Sequence, residues 1–117
     1  FPCRHRRRIF HSRHPMKIVI LDVVHTFLGS LDFPVRSDAY KLLKLLEQYG
    51  HALSMPVAKP IGAGLWELRL TGRPQIRMLY GFYEGIPVVV LALRKQRSAL
   101  PQSSIALARK RFMEYCG

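Results

Sequence analysis

"LWELRLTGRPQIRMLYGF", residues 65–82, decides the fold. Side chains alternate across a β-strand. Within 65–70, Trp66, Leu68 and Leu70 share one face, while Glu67 and Arg69 share the other. Within 76–82, Ile76, Met78, Tyr80 and Phe82 share one face, while Arg77, Leu79 and Gly81 share the other. Gly72 and Pro74 lie between the two runs. The stretch therefore predicts an antiparallel hairpin whose larger apolar set faces a core. A turn centred on Arg73 sets Arg69 opposite Arg77. A slip of one residue would turn both arginines to the apolar side, which the pattern disfavours.

Two guanidiniums opposed across a β-pair repel unless an anion lies between them. Two sources of that anion are open at this stage. Glu67 is a diagonal neighbour of Arg77 and would make the cluster an internal ion pair. The alternative is a bound phosphate, which guanidinium forks hold bidentately while staying charged.

Outward from the hairpin, "IPVVVLAL" at 86–93 reads as a buried third strand of a meander. It ends in "RKQRS", which brings Arg94, Lys95 and Arg97 to the sheet edge near the face of Arg69 and Arg77. On the N-terminal side, residues 51–64 are rich in Pro, Gly and Ala and read as a loop carrying His51 and Lys59. Before that loop, "FPVRSDAYKLLKLLEQYG" at 33–50 reads as a helix. Pro34 suits its start, Gly50 its stop, and Ala39, Leu42, Leu43, Leu46 and Tyr49 form its apolar stripe. "KIVILDV" at 17–23 is a first strand, and "HTFLGSLD" at 25–32 a short helix. A last helix follows Ser103 or Ser104 as cap, with Ile105, Ala108, Phe112 and Tyr115 on one face. The order is strand, two helices, three strands, helix: an α+β domain with a four-stranded sheet.

The chain has 117 residues, enough for one domain with one core. Its formal net charge is +12, which favours a polyanionic partner, nucleic acid before anionic membrane. No apolar run reaches the ~20 residues a spanning helix needs. Two cysteines near opposite ends give neither a disulfide framework nor a metal spacing, and together with the absence of a signal-peptide pattern they place the protein in a reducing, cytoplasmic setting. Residues 1–15, "FPCRHRRRIFHSRHP", hold five arginines and no acid. They read as a flexible basic arm or leader, and 16–117 as the domain. Cys3, His5, His11 and His14 match no zinc-finger spacing, so no metal and no cofactor is expected.

"GLWELR", "GRPQIRMLYGF" and "RKQRSALPQSSIALARKRFMEY" together resemble the HigB-like branch of the RelE/ParE toxin superfamily, over about residues 16–115. The resemblance implies a RelE-like β-α-α-β-β-β-α fold, with a mainly antiparallel sheet, a helical hairpin and a C-terminal helix. It implies a type II toxin that cleaves mRNA on the ribosome and is neutralised by a helix-turn-helix, HigA-like antitoxin. Arg77 matches the arginine of the family's R-x-LY pattern, Arg69 that of LWELR, and Arg94 and Lys95 the basic pair after the last strand.

The chemistry implied is attack of a ribose 2′-OH on the adjacent phosphate, which needs alignment, charge stabilisation and proton transfer but no metal. Arg77 is the expected phosphate clamp, so that Arg77→Ala should abolish toxicity with the fold intact. Arg69 shares the clamp role, and Arg94, of the basic pair, is a further catalytic candidate. Arg73, Arg97 and Lys59 are expected RNA contacts. Arginine holds its proton too firmly to be a base, so Lys95 is the first candidate, with Lys59 in reserve. His25 and His51 are further possible proton carriers. "RKQRSALP" departs from the family's K-K-x-x-K-TP and has no Tyr or His between Arg94 and Pro101, which bears on turnover more than on RNA affinity. Two alternatives stay open: a ParE-like toxin that inhibits DNA gyrase without catalysis, and a basic RNA-binding module.

Overall fold

The computed structural model describes residues 17–96 and 98–117. The basic arm, with its Cys and His residues, and Arg97 lie outside the described residues. The elements are β1 (Val19–Ile20), α1 (Asp22–Gly29), α2 (Phe33–Tyr49), a 3-10 turn (Gly50–Ala52), β2 (Ala58–Gly62), β3 (Leu65–Leu70), β4 (Ile76–Tyr83), β5 (Ile86–Arg94) and α3 (Gln102–Cys116).

The sheet has five strands in the order β1-β5-β4-β3-β2, with β1 parallel to β5 and every other pair antiparallel. This corrects the expected four. The additional strand is β2, which lies within the stretch read as a loop. Pro60 and the glycines around it read as strand breakers. At a sheet edge, however, a proline needs no ladder donor on its outer side, and the pairing bulges between Pro60 and Gly62.

The hairpin register is as expected: Arg69 pairs with Arg77, Leu68 with Met78 and Trp66 with Tyr80. Helix α2 follows its predicted span, with Ala39, Leu43 and Leu46 buried. Tyr49, placed in the apolar stripe, is instead exposed. Helix α3 begins at Gln102 after Pro101, so Ser103 and Ser104 lie within its first turn rather than capping it.

Both faces of the sheet are covered. On one, Leu68, Ile76, Met78, Tyr80 and Val89 pack with Val24, Leu28, Leu43 and Leu46 of α1 and α2. On the other, Leu65, Leu79, Val88 and Val90 pack with Ala108 of α3, flanked by Ile105, Phe112 and Tyr115. This second core explains why the arginine-bearing face also carries Leu65 and Leu79.

Two close contacts seat α3. An ideal Cβ on Gly81 would lie 2.8 Å from the Phe112 ring, so only glycine lets that ring rest on β4. Between Tyr80↔Val89 and Leu79↔Leu91 the β4–β5 register shifts by one residue, leaving Val90 as a bulge. Nη1 of Arg111 donates to the carbonyl of Val90 at 3.0 Å, so the helix supplies a donor to the bulge residue.

Candidate functional site

Helix α3 covers only part of its face of the sheet. Beyond it, toward the β3–β4 turn, the strands present Glu67 and Arg69 from β3 and Arg77 from β4. Arg77 is 2% exposed and Glu67 5%. Nε of Arg77 lies 3.1 Å from Oε2 of Glu67, and Nε of Arg69 lies 4.0 Å from Oε1. The first approach is a close, buried ion pair. The remaining Arg77 donors are well used. Nη1 donates to the carbonyls of Ile76 at 3.1 Å and Leu70 at 3.3 Å, and Nη2 donates to Oε1 of Gln75 at 3.1 Å.

Burial draws the Arg77 guanidinium below its ordinary value, Glu67 opposes that shift, and Arg69 adds to it. The anion between the opposed arginines is therefore Glu67. Arg77, expected as the phosphate clamp, is turned inward, where it fixes the ends of β3 and β4 through two carbonyls and Gln75. The side chain of Arg69 keeps 28% of its surface exposed.

The cations that reach solvent lie next to this cluster. The backbone N–H of Lys95 donates to the carbonyl of Gln75 at 2.9 Å, which ties the segment after β5 to the turn before β4. An open groove of about 460 Å³ runs between them, lined by Gly72, Arg73, Pro74, Gln75, Lys95, Gln96 and Ser98. A smaller adjoining hollow of about 110 Å³ is lined by Arg94, Lys95, Gln96, Ala99 and Pro101. Gly72, at φ +113°, makes a turn that a side chain would strain.

The structure thus brings Arg73 and Lys95 together in one groove, with Arg94 beside Lys95. Arg94 is the register partner of Ile76, which points into the α1/α2 core, so it leaves the strand on the face opposite Arg77 rather than on the same face as expected. Lys59 is exposed on β2, opposite Glu67 in register, and does not line the groove. Neither do the two histidines weighed as proton carriers. His25 bonds through Nδ1 to the Tyr40 hydroxyl at 2.7 Å, and His51 stacks on Phe82 with centroids 3.5 Å apart. Gln75 was not anticipated. It holds Arg77 from one side and lines the groove on the other, and its only sequence signal is its position just before the β4 arginine pattern.

Among the described residues, no group of three or more His, Cys, Asp or Glu is arranged to hold a metal ion, and no helix is long and apolar enough to cross a membrane.

Residues 26–113 match the family described as phage-derived protein Gp49-like (DUF891). The chain belongs to the Gp49-like family. That family is one of RelE/HigB-like toxins of toxin–antitoxin systems, so the protein is a toxin-type domain with an antitoxin as its general partner. A search of curated proteins found no match.

Proposed function

We propose that this Gp49-like chain is the toxin of a type II pair and cleaves mRNA on the ribosome, with the Arg73–Lys95 groove as its RNA site. The observation that carries this reading is the convergence of Arg73 from the β3–β4 turn and Lys95 from the β5–α3 connection on one open, polar groove. A single cationic run is commonly solvated surface. Cations from separate segments held on one groove are better suited to successive phosphates.

In this mechanism Arg73 and Arg94 hold the RNA backbone and Arg69 contributes from the rim. Lys95 serves as the base that takes the proton of a ribose 2′-OH. The 2′-oxygen forms a bond to the adjacent phosphorus, and the bond from phosphorus to the 5′-oxygen breaks. The ammonium formed on Lys95 returns the proton to the departing 5′-oxygen. The products are a 2′,3′-cyclic phosphate and a 5′-hydroxyl, and no step calls for a metal. Arg77 acts as a positioning residue: it holds Gln75 and the strand ends that carry Arg69 and Arg73.

Mapping 5′-hydroxyl ends in a translation extract tests the reading. Cuts inside codons that require the protein support it. Inhibition of DNA supercoiling with no new RNA ends would transfer the domain to the gyrase-directed class, and RNA binding with neither effect would leave a binding module.

A further inference from the structure

The RNA reading makes no use of the cationic side of α2. Phe33 stands in the first turn of that helix with 67% of its surface exposed. The Arg36 guanidinium lies 5.5 Å from the centre of its ring and donates through Nη1 to the carbonyl of Leu31 at 3.0 Å. One turn on, the Tyr40 hydroxyl is held by His25 at 2.7 Å, and the two rings stack. Phe33, Arg36, Ser37, Tyr40, Lys41 and Lys44 line an open groove of about 340 Å³, repeating at the three- and four-residue spacing of one helix face.

We propose that this face of α2 docks an acidic amphipathic segment of a partner protein. Its apolar side chains would lie against Phe33 and Tyr40, and its carboxylates would meet Arg36, Lys41 and Lys44. Charge sets the sign of the partner. Asp38 is the only acid between residues 33 and 44, and it does not line the groove. Among the described residues neither Lys41 nor Lys44 forms an ion pair, whereas the charge of Arg77 is taken up by Glu67. Pre-organisation favours a protein contact: Arg36 and Tyr40 are already held, so binding loses little side-chain freedom, and Arg and Tyr are residue types that anchor interfaces. RNA fits less well. Arg36 covers one face of Phe33 and His25 one face of Tyr40, which removes stacking surface that bases would use. Identifying the segment with the antitoxin rests on the toxin reading above; the docking itself does not.

The test is an NMR titration of the isotope-labelled full chain with a synthetic helical peptide carrying Leu on one face and Glu on the other. Saturable shifts should concentrate in residues 33–44. Phe33→Ser, which replaces an exposed side chain, and the pair Lys41→Glu with Lys44→Glu should each weaken binding at least ~10-fold, as expected for interface anchors. Arg73→Ala should leave it unchanged. The proposal is overturned by an absence of binding, by shifts centred on Arg73 and Lys95, or by affinity that survives Phe33→Ser. Tighter binding of a single-stranded RNA at the same residues would make the face a nucleic-acid surface instead. The RNA groove is tested separately, from RNA ends with Arg73 and Lys95 variants.

Discussion

Glu67 and Arg77 form a buried ion pair across β3 and β4, with Nε and Oε2 3.1 Å apart, and this pair permits Arg69 and Arg77 to face each other. A buried pair of this kind costs desolvation and becomes a liability when one partner is removed.

Glu67→Gln should therefore destabilise the fold by about 3–5 kcal/mol, the range for stranding one buried charge. The double variant Glu67→Leu with Arg77→Met should recover much of that loss, since neither charge remains. Urea denaturation of the three proteins measures it. A double variant less stable than Glu67→Gln would show that the bonds from Arg77 to Leu70, Ile76 and Gln75 matter more than the charge balance. By the same logic Arg77→Ala should lower stability as well as toxicity, contrary to the expectation drawn from the sequence.

The Tyr80 hydroxyl is buried with no hydrogen-bond partner among the described residues, and burial pushes its pKa up from 10.0 to about 12. Between those values the unfolded chain ionises this tyrosine and the folded chain does not. Its contribution to stability is thus intact below pH 10 and is lost as pH rises toward 12. Tyr80→Phe should be neutral or stabilising near pH 7, because it removes an unpaired polar group. It should also flatten the alkaline decline. Thermal melts at several pH values read both effects, and a clear loss at neutral pH would mean that the hydroxyl is satisfied in solution.

Gly81→Ala places a methyl group 2.8 Å from the Phe112 ring. Overpacking of this sort costs about 1–3 kcal/mol. Most of the strain should appear in α3, so its amides should lose hydrogen-exchange protection before those of α2. Uniform loss across both helices would contradict the placement of Phe112.

Much of this fold was legible because two periodicities agreed. The alternation in 65–82 set the strand register, and the three-to-four spacing in 33–49 set the buried side of α2. Strand β2 was hidden because Pro60 and its glycines carry breaker chemistry that an edge position tolerates. The second core was hidden because Leu65 and Leu79 alternate with charged residues, and only α3 shows that this face is covered. At the site, the opposition of Arg69 and Arg77 could be read, and Glu67 was visible as one of two candidate anions. Which anion is present depends on depth beneath the surface, and strand alternation carries no information about that. Arg94 fell on the unexpected face because the bulge at Val90 shifts the register along β5.

RNA affinity should depend on salt, since phosphate contacts release counterions. Arg73→Ala should weaken binding of a short single-stranded RNA and reduce the salt slope by about one contact, leaving the melting temperature unchanged. An unchanged slope would remove Arg73 from the interface.

The most direct test measures codon-internal cleavage on programmed ribosomes with wild type, Lys95→Arg and Lys95→Ala. Arginine preserves the charge but cannot serve as a base, and loss of a general base typically costs ~10²–10⁴ in rate. Both variants should cut at least ~10²-fold more slowly, with Lys95→Arg still binding as tightly as wild type. Cleavage by Lys95→Arg at the wild-type rate would contradict the assignment of Lys95 as the base.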